Sequence, residues 1–412
     1  MERLIFHIDV NSAFLSWEAA RRVENGEPDL RLIPSAIGGD REKRTGVILA
    51  KSIPAKRFGV KTGEPIAMAL RKCPTLYLAK PDFSLYERNS RAFTEICRQY
   101  APVVEKFSID ECFLDMSGTS KLYPDPIKIA HQIKDEIRDR LGFTVNVGIG
   151  SNKLLAKMAS DFEKPDRVHT LFAHEVREKF WCLPVRELFS VGASTADKLE
   201  RAFIRTIGDL AAADPSHLIS LFGQKMGIHL HRYANGIDES PVLAEPEDAK
   251  GYSVSTTLAQ DVTDFEEAGR ILLALADSVS SRMRADGVKA YCVAVTIRSN
   301  SFRDRSHQKK LTEPTDITSE IFELCLSLFQ GLWDGKTPLR LLGVALSEIS
   351  HGEEQQLSLF SENEERERAR RVDRTVDDIR SRFGYDTIKR GSTCGTTPSV
   401  GKKYKAKLDN QK

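Results

Sequence analysis

Acidic side chains inside apolar, strand-like runs are the feature that most restricts how this 412-residue chain can fold. Asp9 lies in Leu4-Ile-Phe-His-Ile-Asp-Val10, and Asp110-Glu111 interrupt Phe107-Ser-Ile-Asp-Glu-Cys-Phe-Leu-Asp115. A buried carboxylate without a partner is strongly unfavourable, so positive charge belongs beside these segments. Carboxylates converging from two sequence-distant strands are a usual way to hold Mg2+, a hard ion that keeps few protein ligands and shares the rest with water and phosphate. The expectation is a phosphoryl-transfer centre. Asp9 and Asp110 would bridge two Mg2+ ions about 3.5 to 4 Å apart, with Glu111 on one ion and the backbone carbonyl of Val10 on the other. Taken singly, Asp9 reads equally well as a helix cap, and Asp110-Glu111 as a solvated turn.

A triphosphate at such a centre needs cationic donors. Lys51, Lys56 and Arg57 in one basic stretch, and Lys153 and Lys157 on a helix after Gly150, are the candidates. The amides of Asn11 to Phe14, at a turn entering a helix, could cradle phosphate oxygens. No GxxxxGK[ST] loop is present, which sets aside a P-loop ATPase. Lys153 and Lys157, four residues apart, also fit an exposed helix stripe.

Hydrophobic periodicity predicts strands over 4–9, 45–50, 103–107, 112–116 and 144–149, with helices over 12–24, 86–100, 127–141 and 151–161. The two acids 110 and 111 fall at the bend of a hairpin. Glycine turns at 192, 208, 223, 227 and 236 punctuate short helices over 185–240. A second α/β unit follows: strands 253–258, 291–298 and 339–347, helices 266–285 and 316–332. An arginine-rich helix is expected near 363–383, with disorder from 389 onward. The chain is long enough for several domains of roughly 100 to 200 residues each. Seven cysteines show no CxxC spacing, and Cys73, Cys97, Cys112, Cys292 and Cys325 lie in apolar surroundings as reduced thiols do. With no leader-like segment and no long apolar span, the expectation is a cytoplasmic protein that does not cross a membrane.

Four blocks occurring together and in order carry a resemblance: His7-Ile-Asp-Val-Asn-Ser-Ala-Phe-Leu-Ser-Trp-Glu18, Ala55-Lys-Arg-Phe-Gly-Val-Lys61, Ser108-Ile-Asp-Glu-Cys-Phe-Leu-Asp115, and Gly148-Ile-Gly-Ser-Asn-Lys-Leu-Leu-Ala-Lys-Met-Ala-Ser-Asp161. Over residues 3 to 350 the chain resembles a Y-family, translesion DNA polymerase of the bacterial DNA polymerase IV and UmuC-like branch. The resemblance implies an α+β, multidomain right hand. A ferredoxin-like antiparallel palm would take 1–18 and 76–165, small fingers 19–75, a helical thumb of helix-hairpin-helix type 166–238, a linker 239–249, an α/β little finger 250–350 and a tail 351–412. It implies Asp9, Asp110 and Glu111 as catalytic metal ligands, Phe14 as the steric gate beneath the incoming sugar, and Lys56 and Lys157 on the triphosphate. The amides of Ser190-Val-Gly192 would hold DNA phosphates. Ile53 stands where the family commonly has a tyrosine, Ser190 and Phe203 replace glycines usual in the thumb hairpins, and Asn11 replaces an acid and is left out of the metal set.

Two further segments point to partners. Arg298, Arg303, Arg305, Lys309 and Lys310 stand against the single acid Asp304 between 298 and 310, a surface suited to DNA phosphates without sequence reading, or to a solvated strand edge. Gln356-Leu-Ser-Leu-Phe360 resembles the pentapeptide by which bacterial polymerases bind the sliding clamp, with Gln356 for orientation and Leu357, Leu359 and Phe360 for an apolar pocket. The leading expectation is a monomeric, low-fidelity, template-directed polymerase transferring dNTP to the 3′ hydroxyl of primer-template DNA. The alternatives are a non-catalytic mutagenesis factor that binds DNA and clamp, and a two-metal nuclease.

Overall fold

β1 (Ile5–Val10) is buried along its whole length, which is possible only with a strand on each side and helices over its faces. The computed structural model describes residues 3–39, 46–245, 247–351 and 363–391. It divides into two units, Met1–Gly39 with Val47–Pro246 and Asp40–Gly46 with Glu247–Lys412. In the first unit β1 is followed by α1 (Ala13–Glu24), β2 (Ser35–Gly38), β3 (Ile48–Lys51), α2 (Ile53–Arg57), α3 (Ile66–Lys72), β4 (Tyr77–Ala79), α4 (Phe83–Arg98), β5 (Val103–Lys106), β6 (Glu111–Asp115), α5 (Pro126–Leu141), β7 (Val145–Gly150), α6 (Lys153–Ser160) and β8 (Val168–Leu171). The short helices α7 (Ala193–Arg201), α8 (Ile207–Ala212), α9 (Pro215–Phe222) and α10 (Gln224–Ala234) complete it.

The main sheet has the order β5-β6-β1-β7-β8. Its first four strands are antiparallel, as expected, whereas β8 joins parallel to β7. That fifth strand falls in the segment assigned to the thumb, because four residues carry too little alternation to announce a strand. A small sheet β3-β2-β4 forms beside it, and β4 extends past the expected end of the fingers at residue 75.

Alternation along β1 sorts its side chains. Phe6, Ile8 and Val10 join Trp17, Tyr86, Phe93 and Ile133 in the largest core cluster, so Ile5, His7 and Asp9 share the opposite face. On that face Ile5 packs with Phe113, Ala156 and Val242. Gly148 and Gly150 let α6 rest directly on β7: a Cβ at Gly148 would stand 1.9 Å from the Ala156 carbonyl oxygen. This close approach carries the side chains of α6 to the back of the acids. The expected linker 239–249 is shorter than its composition suggests. Val242 belongs to that packed face, and the Leu243 amide donates to Glu105 Oε2 at 2.8 Å.

The second unit contains β9 (Gly251–Val262), α11 (Phe265–Ala285), β10 (Lys289–Ser299), β11 (Asp304–Thr315), α12 (Thr318–Leu332), β12 (Leu339–Ser350) and α13 (Asn363–Phe383). Its sheet is antiparallel in the order β11-β10-β12-β9. α11 and α12 bury Leu272, Val279 and Phe329 against Val293, Val295 and Val344.

The arginine-rich helix is docked rather than free. Arg370 meets Asp316 at 3.0 Å, Arg380 meets Asp277 at 2.8 Å, and Arg284 of α11 reaches Asp377 at 2.7 Å. Asp373 accepts the Thr318 amide at 2.7 Å and so caps α12, whose own N-cap position is the apolar Ile317. Disorder does not begin at 389 either, since Arg390 pairs with Asp373 at 2.7 Å. The pentapeptide 356–360 and residues 392–412 lie outside the described residues. Among the described residues no helix is long and apolar enough to cross a membrane, and Cys73, Cys97, Cys112, Cys292 and Cys325 are buried free thiols.

Candidate active site

Asp9 and Glu111 are direct partners in the β1–β6 register, and the Val10 amide donates to the Asp110 carbonyl at 3.0 Å. Strand pairing therefore brings the three acids to one place. Asp9, Val10, Phe14, Asp110 and Glu111 all line a single cleft of about 350 Å³. Phe14 forms part of its wall, its ring stacked on Tyr86 with centroids 4.5 Å apart and planes within 11°. Ser12, just before α1, is held at φ 49°, so the chain turns sharply between the acid and the aromatic ring.

Each acid is turned to a different neighbour. Lys164 Nζ is bonded to Asp9 and lies 2.8 Å from Asp161. Lys157 Nζ donates to Glu111 Oε2 at 2.8 Å. The Ser108 hydroxyl donates to Asp110 Oδ1 at 2.6 Å. For this reason no three of the described His, Cys, Asp or Glu side chains stand as a ready cation cage. Burial pushes the Asp9 carboxyl up to about 6, more than Lys164 pulls it down, so this carboxylate lacks sufficient compensating charge. Burial would also raise Glu111, but the Lys157 ammonium 2.8 Å away outweighs it and holds the carboxyl below its usual range. All-oxygen donors, an under-compensated buried acid and open volume between them suit a hard divalent cation whose remaining ligands are water and phosphate.

The cations are distributed differently from the sequence expectation. Lys51 lines the cleft and donates to Thr62 Oγ1 at 3.1 Å. Lys56 and Arg57 are exposed on α2 and do not line it. Lys153 is tied to both oxygens of Glu105 at 2.7 Å. Lys157 is not in the cleft either but buried behind Glu111, its ammonium over the rings of Phe107 and Phe189 at 5.4 and 5.3 Å. The cation that sequence reasoning missed is Lys164, which lines the cleft with Asp161. It lies three residues beyond the last matching block, in a loop with no periodic pattern to announce its direction. Ile53 is exposed and does not line the cleft. Ser52 is committed to Ala55 and Ile33, so among the described residues Lys51 and Thr62 are the donors on that wall.

In the short-helix region, Ser190 and Phe203 adopt φ of 76° and 63°, so the two positions where glycine was expected do have left-handed backbone. Gly192 precedes α7 with open space around the position of a Cβ.

In the second unit, register divides the basic residues over two faces. Arg305 and Lys309 pair with Ile297 and Val293, whose side chains are buried on the helix side, while Arg298 and Lys310 point to the other face. Arg298 is bonded to Asp304 at 2.5 Å and Lys310 to Glu348 at 2.5 Å. Arg303, Arg305 and Lys309 are exposed. The single basic surface expected from the sequence is instead an edge strand with positive charge on both sides.

Three models match the chain: the impB/mucB/samB family over residues 8–161, the C-terminal domain of that family over 249–359, and the DNA polymerase-iota thumb domain over 186–238. The chain is 43% identical over 391 residues to a DNA polymerase IV of Clostridium acetobutylicum, covering 95% of this chain and 98% of the relative. It is 36% identical over 396 residues to a DNA polymerase IV 1 of Bacillus subtilis, covering 95% and 93%. A solved Y-family DNA polymerase chimera shares the fold with a TM-score of 0.73 at 21% identity, covering 85% of this chain and 100% of the other.

Proposed function

The chain belongs to the impB/mucB/samB family and is a Y-family, translesion DNA polymerase, and from that premise we propose how its cleft performs nucleotidyl transfer. It acts on primer-template DNA and nucleotides and depends on divalent metal. In our reading two Mg2+ ions are held by Asp9, Asp110, Glu111 and the Val10 carbonyl. Bound there, they supply the acidity that frees a primer 3′ oxygen and the charge that neutralises pyrophosphate. The primer oxygen forms a bond to the α-phosphorus, the bond to the bridging oxygen breaks, and the hydroxyl proton leaves to solvent.

The observation that carries this reading is the register pairing of Asp9 with Glu111, which sets both carboxylates and Asp110 on one cleft with Lys51 and Lys164. Lys51 and Lys164 are the cations best situated for a triphosphate. Lys164 would exchange Asp9 for a phosphate oxygen, keeping Asp161 as its second partner. Lys56, exposed on α2, would act only at the rim, and Lys157 would act through Glu111. Phe14 would serve as the sugar gate by overlap with a 2′ hydroxyl, a stronger discrimination than failure to attract one. Gly192, Arg303, Arg305 and Lys309 would hold DNA phosphates. Arg298 would do so after giving up Asp304. Gln356, Leu357, Leu359 and Phe360 would dock on a sliding clamp, raising the local concentration at the primer end to as much as about mM. The protein would act as a cytoplasmic monomer.

Primer extension with Mg2+ tests the centre. Asp110→Ala should fall by at least about 10³-fold, an effect of the size expected when transition-state charge loses its stabilisation; appreciable extension by this variant would overturn the assignment. In the same assay Phe14→Ala should admit ribonucleotides, and unchanged sugar selection would remove Phe14 from the gate.

A further inference from the structure

His7 lies fully buried on β1, its ring 4.6 Å from that of Phe113. Its Nδ1 stands 2.8 Å from Ser160 Oγ. That hydroxyl has one hydrogen, which it donates to the Lys157 carbonyl at 2.7 Å. With the hydroxyl hydrogen placed there, the Ser160 oxygen accepts from the ring, and this assignment puts the ring proton on Nδ1. Nε2 of the neutral ring is then a bare acceptor. Among the described residues it has no hydrogen-bond partner, and it is aimed at Glu111 Oε2, 3.6 Å away, itself an acceptor. An interior acceptor left facing another acceptor is unfavourable unless a donor can reach it.

The donor at hand is Lys157. Its ammonium is bonded to the same Glu111 oxygen at 2.8 Å, and the side chain is buried beneath the rings of Phe107 and Phe189. If Glu111 turns toward a divalent cation, this ammonium loses its carboxylate in a place where water cannot replace it. We propose that His7 Nε2 is the acceptor that receives Lys157 when Glu111 leaves it for metal. His7 is thus a positioning residue, and Lys157 a switch between a carboxylate and an imidazole. Without the imidazole, metal binding would carry the full penalty of an unpaired interior ammonium. The inference rests on the reading of Glu111 as a metal ligand.

The test is Mn2+ binding, read from the free-ion electron paramagnetic resonance signal, by the full chain with primer-template and a non-hydrolysable dNTP analogue. His7→Phe keeps a ring against Phe113 but removes the acceptor, and should weaken Mn2+ binding by about tenfold. His7→Gln, which offers an amide oxygen, should recover most of the loss. In a Lys157→Met background no ammonium needs an acceptor, so adding His7→Phe should cause no further loss. Unchanged binding by His7→Phe, or losses that simply multiply in the double variant, would overturn the proposal. Unchanged binding by Glu111→Gln would instead remove Glu111 from the metal centre. Should His7→Phe fail to fold, the 15N shift of Nε2 in the unaltered protein decides. It should change from a bare to a hydrogen-bonded acceptor when Mg2+ and the analogue are added, and a constant shift would overturn the idea.

Discussion

Two buried charge clusters, one in each unit, reach opposite states: one joins arginines to aspartates, the other sets lysines and a histidine among Asp and Glu. Around α13, Arg284, Arg370 and Arg380 are each at least nine-tenths buried and face Asp377, Asp316 and Asp277 at 2.7 to 3.0 Å. Asp373 there also caps α12. Around β1 the accounts stay open: Asp9 is pushed up to about 6, and His7 Nε2 has no hydrogen-bond partner among the described residues. Among the described residues Asp110 is met by a hydroxyl in addition to its own backbone contacts. A closed network fixes one arrangement of the chain. An open one has charge left over for something that arrives, and buried groups in that condition mark functional sites.

The sharpest way to break this contrast is to remove one member from each cluster. Glu111→Gln should abolish measurable extension, a loss of about 10³-fold or more, while its amide oxygen still accepts from Lys157 and the fold is kept. Arg284→Ala should do the reverse, lowering the stability of the second unit by about 3–5 kcal/mol through the uncompensated acids it leaves, with activity per folded molecule retained. Urea titration followed in each unit, alongside extension rates, separates the two. An Arg284→Ala protein of unchanged stability would mean that the α13 network is not holding the helix.

The next effect concerns pH. The folded-state value of Asp9 lies above its ordinary one, so between about pH 4 and 6 the folded protein keeps a proton that the unfolded chain has released. Metal-free stability should therefore fall as pH rises through that window, with the full penalty present above about 6. Asp9→Asn should remove it, gaining up to about 3 kcal/mol at pH 8 and nothing at pH 4. Denaturation at both pH values in the presence of a chelator checks this, and an equal gain at both would show that Asp9 is not under-compensated. Glu111 has the opposite sign, since its value is lowered: its contribution is present above about 4.5 and is lost as pH falls toward 2.

The smallest effect sharpens the contrast between strain and charge. Phe203 is 80% exposed and held at φ 63°, with no charge involved. Phe203→Gly should stabilise the first unit by about 0.5–1 kcal/mol, the relief of a left-handed conformation less the added freedom of glycine. A melting temperature that falls instead would show that the ring is needed where it is.

Much of this was legible because it repeats along the chain. The period of α5, the buried run of β1 and the arginine-rich helix at Asn363–Phe383 all emerge from side-chain spacing. The three acids were legible for another reason, since a charge in an apolar strand has few explanations. What escaped was decided by contacts between distant segments. β8 is too short to show a period and exists because β7 offers it an edge. Lys164 lies in an unpatterned loop, and only folding brings it to Asp9. Lys157 has the same spacing whether its helix turns it toward solvent or toward Glu111.

By itself, then, the order of residues determined the family, the helices and central strands, and the acids that meet. Local periodicity and the penalty for interior charge are properties that any stretch of chain carries with it. Tertiary structure alone decided which lysines face the cleft, which arginines are neutralised, and that the basic strand β11 divides its charge between two sides. Those outcomes depend on register and close approach, where a shift of one residue reverses a side chain's face.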